Sequence, residues 1–457
     1  MAQRLQSPSS YYAPWEKTFG RILTPFEEFI HQETAGSFVL IACTVLALIL
    51  ANSPLAEAYE RVLHTHVALN IGAWRLDHTL HHWINDGLMA LFFFVVGLEI
   101  KREVLVGDLA DARAAVLPVV AAVGGMVVPA ALYALITAGG EGIRGWGIPM
   151  ATDIAFALGV MALLGSRVPK SLFTFLVAVA IVDDLGAVAV IAVFYTEQLA
   201  LSALALAGLF LVLLIVLNLA GVRHPLPLVV IGALVWLAML ESGVHATVAG
   251  VLVAWTVPVR PKLEPRRFSQ YIRNLMDKFE RLERDGKTLL QDQRQRAILQ
   301  AVESGVHKVE SPLQRLEHTL HVPAAFIVVP LFALANAGIA IDPASVKTAM
   351  ADPVTLGVVV GLLGGKLLGI AALSGLVVWL GLAQLPAGCR LSHLVGIGLL
   401  AGIGFTMSIF IAELGFRGES ELLLNAKLGV LAASVIAGAA GYAWLYKLGA
   451  DGKSTAR

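Results

Sequence analysis

LFTFLVAVAIVDDLGAVAVIAVFY, residues 172–195, is an unbroken apolar stretch long enough to cross a bilayer, and it carries two adjacent aspartates, Asp183 and Asp184, near its middle. At that depth a charged side chain costs about 3 kcal/mol on insertion scales, and residues that bear such a cost usually serve function. Packing alone would not put them there. Successive helix residues point about 100° apart, so one carboxylate can face an aqueous cavity while its neighbour faces another helix.

The rest of the chain is built in the same manner. Of its 457 residues 57% are hydrophobic and only 14% charged, against about a quarter charged in soluble globular proteins. Apolar windows fall near 34–52, 79–100, 114–137, 148–165, 171–195, 201–220, 225–240, 244–258, 320–341, 355–379, 391–414 and 423–446. The fold class expected is an all-α polytopic membrane protein with about twelve transmembrane helices.

Charge distribution sets orientation. Lys101, Arg102, Arg113, Arg167, Lys170, Arg223, Arg390 and Lys447 fall in the even-numbered connections or the tail, whereas the odd-numbered ones hold mainly Arg61, Arg75, Arg144, Lys347 and Arg417. The positive-inside rule then makes both termini cytoplasmic. The first thirty residues lack a compact apolar core followed by a small-residue cleavage site, so no removable signal peptide is expected. A formal net charge of zero gives no reason to expect a nucleic-acid partner. Two cysteines, Cys43 and Cys389, make neither a structural disulfide nor a metal cluster the expectation.

These patterns divide the chain into a cytoplasmic segment 1–33, spans one to eight over 34–258, an insertion over 259–316, spans nine to twelve over 317–446 and a cytoplasmic tail 447–457. Within the first block, near 61–76, HVALNIGAWRL (66–76) alternates apolar residues around Asn70-Ile71-Gly72 and reads as an external β-hairpin. Its free edges would pair with a second copy, giving a homodimer, or it would pack on its own domain. The segment 260–316 carries thirteen Lys or Arg and eight Asp or Glu. Phe268, Ile272, Leu275, Met276, Phe279 and Leu282 recur there at helical spacing, which predicts an amphipathic cytoplasmic helix ending at Gly286 and another after it. It serves as a solvated or membrane-surface linker, or as a regulatory module. The glycine-rich GVVVGLLGGKLLG (357–369) is ordinary close helix packing.

Besides the aspartate pair, Asp153 in GWGIPMATDIAFALGVMALLG and Lys366 in TLGVVVGLLGGKLLGIAALSGLVVWL sit inside spans. Four such groups, unpaired, would cost on the order of 12 kcal/mol, comparable to the net stability of a whole domain. They must be paired, hydrated or neutralised. A salt bridge kept for packing alone is a weak explanation, because buried pairs seldom stabilise more than apolar residues do. Two spans look interrupted: Thr152-Asp153 follows Gly147 and Pro149, and Gly402, Gly404, Thr406 and Ser408 fall within LLAGIGFTMSIFIAEL. Such breaks, one in each half, predict two discontinuous helices around a midplane site. Their opposed ends carry partial charges that an aspartate and a lysine would balance. Carboxylates and a threonine hydroxyl, with no thiol, suit a hard, oxygen-seeking cation. Two adjoining carboxylates titrate as a coupled unit, able to exchange protons for a metal cation. That is the physical core of a cation/proton antiporter.

The chain resembles the NhaA-type sodium/proton antiporter family. The strings that carry the resemblance are INDGLMALFFFVVGLEIKRE (84–103), MATDIAFALGV (150–160), VAIVDDLGAVAVIA (179–192), ESGVHATVAGV (241–251), LFALANAG (331–338), GGKLLGI (364–370) and GIGFTMSIFIA (402–412). They run in family order from 84 to 412, within a resemblance that covers about 34 to 446. The resemblance implies inverted-topology repeats, Asp184 as the essential ion-binding carboxylate, and Asp183 as its neighbour paired with Lys366. It implies Thr152 as a cation ligand, beside Asp183 and Asp184, and Asp153 mainly as compensation for helix dipoles. It further associates Glu99, Arg102, Glu103, Glu317, His318 and His321, with His245, with pH activation. Read without it, the charges of that cluster would be snorkelling from helix ends, and His245 would be an ordinary hydrogen-bonded histidine. The insertion 260–316 departs from the short connection of compact members and enters immediately before Glu317, which bears on regulation.

The activity so implied is electrogenic, pH-regulated export of Na⁺ or Li⁺ in exchange for external protons across a bacterial inner membrane, with no cofactor and no enzyme chemistry. Two other readings remain. A passive cation channel also fits broken helices, but it normally needs a pore lined by rings of ligands. An intramembrane aspartyl protease would use Asp153 with one of the paired aspartates as a carboxylate dyad, which leaves Lys366 without a role.

Overall fold

The computed structural model describes residues 35–71, 74–196, 199–222, 224–261, 264–283, 293–342 and 347–454. The expected segment 1–33 and the helix end at Gly286 lie outside them. With no water in hydrocarbon to satisfy backbone groups, apolar segments must close their own hydrogen bonds, and they do so as helices. In chain order these are α1 (Ala35–Ala51), α2 (Ala56–Leu63), α3 (Leu80–Leu105), α4 (Ala112–Ile136), a 3₁₀ helix (Glu141–Met150), α5 (Ile154–Ala162), α6 (Lys170–Phe194), α7 (Leu201–Leu219), α8 (Pro225–Leu240) and α9 (Thr247–Thr256). After them come α10 (Pro265–Glu283), α11 (Gln293–Val309), α12 (Pro312–Asn336), α13 (Pro353–Trp379), α14 (Leu391–Leu400), α15 (Phe405–Gly415) and α16 (Ser420–Ser454).

Among the described residues seven helices, α3, α4, α6, α7, α12, α13 and α16, are long and apolar enough to cross a membrane alone. Three pairs do so together across a bend: α1 with α2 at 116°, the 3₁₀ helix with α5 at 44°, and α14 with α15 at 50°. The apolar helices α8 and α9 are shorter. Each of the twelve apolar windows therefore holds a helix or a bent pair. The sharp first bend takes α2 out of line, where the Tyr59 hydroxyl donates to the carbonyl of Leu334.

Three boundaries differ from the sequence reading. The hairpin pairs β1 (His66–Ile71) with β2 (Trp74–Thr79), from His66 opposite Thr79 to Ile71 opposite Trp74. It thus runs to 79 rather than 76, while the stretch before His66 is helical. Asn70 and Ile71 extend the strand instead of turning, and Gly72 lies outside the described residues. The strand stops where Thr79 caps α3, its hydroxyl accepting from His82 N. The Trp83 indole donates to Val67 O, so the hairpin packs on its own domain and leaves both outer strand edges free of a third strand among the described residues. The last helix continues through the expected tail as far as Ser454, past Gly449 and the Asp451-Gly452 turn signal. In the insertion, α10 and α11 form a helical hairpin with the rings of Phe268 and Tyr271 set against Gly305.

A close crossing of α4 and α13 delivers Lys366 to the centre of the bundle. A Cβ on Gly124 would meet the carbonyl oxygen of Gly369, and one on Gly369 that of Gly124, so only glycine allows the two backbones this near. Lys366 stands just before that contact, at the end of a π-helical turn, Gly361–Gly365.

Candidate functional site

Site geometry begins with the two breaks. Residues 151–153 interrupt one span and 401–404 the other, and the breaks cross. Unwinding exposes carbonyls at the end of each first half and amides at the start of each second half. The two chains satisfy one another: the Thr152 hydroxyl donates to Ala401 O at 3.0 Å, the Ser408 hydroxyl to Ile148 O at 2.7 Å, and Asp153 N to Ile403 O at 2.7 Å.

Asp153 caps both second halves. One carboxylate oxygen accepts from Phe156 N at 3.0 Å, which caps α5; the other accepts from Thr406 N at 3.0 Å and from the Thr406 hydroxyl, which caps α15. A single negative charge thus faces the positive ends of two helices. Lys366 does not complete that scheme. Its ammonium reaches Asp183 Oδ2 at 2.7 Å, and hydroxyls and an amide, not the lysine, meet the half-helix carbonyls. A short charge-assisted bond is the stronger use of a buried ammonium, since a carboxylate bears a full charge and a helix end only about half of one.

Asp183 and Asp184 lie near the midpoint of α6 at 1% and 3% exposure. Thr152 stands beside Asp183. Among the described residues Asp183 Oδ1 and Asp184 Oδ1 are buried without hydrogen-bond partners. An orphaned buried carboxylate oxygen needs a proton or a cation to offset its desolvation. Among the described residues no three or more His, Cys, Asp or Glu side chains are set to hold a metal ion. The side-chain donors that gather here are carboxylate and hydroxyl oxygens, the type that suits a hard cation.

A second group of charges sits away from the hairpin, towards the end of α3. Arg102 pairs with Glu103 at 2.7 Å and with Glu317 at 2.9 Å, and His321 lies 3.6 Å from Glu99. Six of the expected residues thus fall on two facing elements, α3 and the first turns of α12, although the His318 side chain makes no hydrogen bond or ion pair among the described residues.

The sequence model of the family described as Na⁺/H⁺ antiporter 1 matches residues 27–445. The chain belongs to that family. It is 53% identical over 437 residues to the Na⁺/H⁺ antiporter NhaA 1 of Saccharophagus degradans, covering 96% of this chain and 94% of that protein. It is 50% identical over 434 residues to the Na⁺/H⁺ antiporter NhaA of Sulfurimonas denitrificans, covering 95% and 98%. Membership and the helical architecture together make this a multi-pass membrane protein of the transporter type.

His245 does not join the Glu99 group. In this antiporter-family chain it belongs to another cluster, at the hairpin end of α3: its Nε2 lies 3.6 Å from Asp86 Oδ1, its Nδ1 bonds the Thr247 hydroxyl at 3.0 Å, and its ring packs edge-on to Phe410. His82 lies 3.0 Å from the other oxygen of Asp86. Sequence reasoning passed over Asp86, although an acid four residues after a histidine inside an apolar window was a readable signal. It also counted Lys101 only among the connection cations, whereas its buried ammonium donates to the carbonyls of Trp255 and Val257 at the end of α9. Only the fold brings those together.

Proposed function

We propose that the protein exchanges Na⁺ or Li⁺ for protons at one shared site, with Asp184 as the carboxylate both species compete for, Asp183 and Thr152 beside it, Asp153 holding the crossed breaks together and Lys366 neutralising Asp183. The observation that carries this reading is the orphaned oxygen of a fully buried Asp184, one residue from an ion-paired Asp183. A proton or a small cation compensates that carboxylate, and neither leaves room for the other. Thr152 spends its proton on Ala401 O, so its lone pairs are free to face a cation.

With more protons than cations moved per cycle, exchange carries net charge, and the membrane potential contributes about 2.3 kcal/mol per charge per 100 mV. The group formed by Glu99, Arg102, Glu103, Glu317, His318 and His321 regulates the cycle by pH, with activity rising in alkali, and His245 tunes it from the other end of the bundle. The protein sits in a bacterial inner membrane with both termini cytoplasmic, surrounded by lipid, and its free hairpin edges favour a homodimer. It needs no cofactor, since Na⁺, Li⁺ and H⁺ are its substrates, and it has no nucleic-acid partner.

The test is fluorescence-monitored dissipation of a proton gradient in everted vesicles on adding Na⁺, Li⁺ or K⁺ across pH. Na⁺ and Li⁺ are expected to dissipate it and Asp184→Asn to abolish the response. Robust flux retained by Asp184→Asn would overturn the assignment.

A further inference from the structure

The 3₁₀ helix Glu141–Met150 is ten residues long, well beyond the three or four residues at which such helices usually stop. Something outside it must hold it. Its near end is tied to α4 by the Tyr133 hydroxyl, which donates to Gly142 O at 2.7 Å. Its middle is tied to the helix that carries the aspartates. Tyr195, immediately after α6, accepts from Gly147 N at 3.2 Å and donates to Arg144 O at 2.9 Å through a single hydroxyl. The preceding ring, Phe194, meets Trp146 edge-to-face with centroids 5.0 Å apart. The Tyr195 ring also lies against the end of the other broken span: a Cβ on Gly415 would stand 3.1 Å from its edge. One side chain therefore touches α6 and both discontinuous spans.

We propose that Tyr195 is a positioning residue for ion exchange: its hydroxyl clasps the outer half of the first broken span to the end of α6 and so fixes Thr152 in register with Asp183 and Asp184. Gly147 is part of the same joint, because a Cβ there would lie 2.8 Å from the Tyr195 hydroxyl and 3.3 Å from its ring. The inference rests on the reading of Asp184 and Thr152 as the ion site. Tyr195 does not touch the ion. Loosening the clasp loosens the cation cage more than it changes the rate once the cage is filled.

Tyr195→Phe keeps the ring and removes both hydrogen bonds. In everted vesicles it is expected to raise the apparent KM for Na⁺ and Li⁺ about three- to tenfold, the size of one to two neutral hydrogen bonds, with the maximal rate and the amount in the membrane retained. Gly147→Ala is expected to raise KM similarly by displacing the hydroxyl. In the double variant the hydroxyl clash is gone and only the 3.3 Å ring contact remains, so its KM should lie close to that of Tyr195→Phe alone rather than multiply the two effects. An unchanged KM in Tyr195→Phe, or effects that multiply, would overturn the clasp. Asp184→Asn measured in the same membranes separates the two levels. If it is inactive while Tyr195→Phe is normal, only the clasp falls; if it remains active, the ion site itself is misassigned.

Discussion

The ammonium of Lys366 lies 2.7 Å from Asp183 Oδ2, with both side chains 1% exposed. Removing one partner leaves a buried charge alone, which costs about 3–5 kcal/mol, whereas replacing both with apolar residues is often neutral. Lys366→Ala should therefore lower the thermal midpoint of the detergent-solubilised protein sharply. Lys366→Met combined with Asp183→Leu should recover much of the loss. A double variant no more stable than Lys366→Ala would argue against a charge pair at this position.

Asp153 caps two helices with one carboxylate, so its loss should exceed that of an ordinary cap. Two caps at about 1 kcal/mol each give an expected destabilisation of about 2 kcal/mol for Asp153→Ala in thermal unfolding. Asp153→Asn keeps an acceptor oxygen and should lose less. Equal losses in the two variants would assign the effect to charge rather than to capping bonds.

The hydroxyls of Thr152 and Ser408 each close a carbonyl of the opposite break. Thr152→Val and Ser408→Ala orphan those carbonyls, at about 1–3 kcal/mol each. Thr152→Ser should be nearly silent in stability. Because the two bonds belong to one crossing, the combined loss should depart from the sum; strict additivity would show the breaks to be independent.

Arg102 joins Glu103 to Glu317, so those two acids act on one another through a shared partner, while Glu99 faces His321 on the same two elements. Neutralising Glu99, Glu103 and Glu317 together should shift the pH profile of exchange while Na⁺-dependent flux persists. A profile unchanged by the triple substitution would leave the group a purely structural ion-pair network.

Much of this was legible in the sequence, for identifiable reasons. Apolar runs of fixed length declare membrane helices because lipid permits little else, and the glycine, proline and hydroxyl residues around Thr152 and Gly402 marked the two breaks. The partners across the breaks were not legible. That Asp153 serves α15 as well as α5, or that Ser408 reaches Ile148, depends on tertiary crossing, which periodicity does not encode. Periodicity read Lys366 only as a buried charge needing compensation; its pairing with Asp183 was implied by the family resemblance, and the glycine contact of α4 and α13 sets the ammonium where that pair forms. His245 was linked by the resemblance to pH response and not to a place; it lies with Asp86 near the hairpin, at the far end of α3 from Glu99.

Purified protein in lipid vesicles, titrated with Na⁺ at a series of pH values, measures the competition directly. The account predicts that apparent sodium affinity falls steadily with acidification, as protons take the carboxylate that sodium needs, and that Asp184→Asn removes the dependence along with the binding. A sodium affinity that stays constant across pH would contradict it.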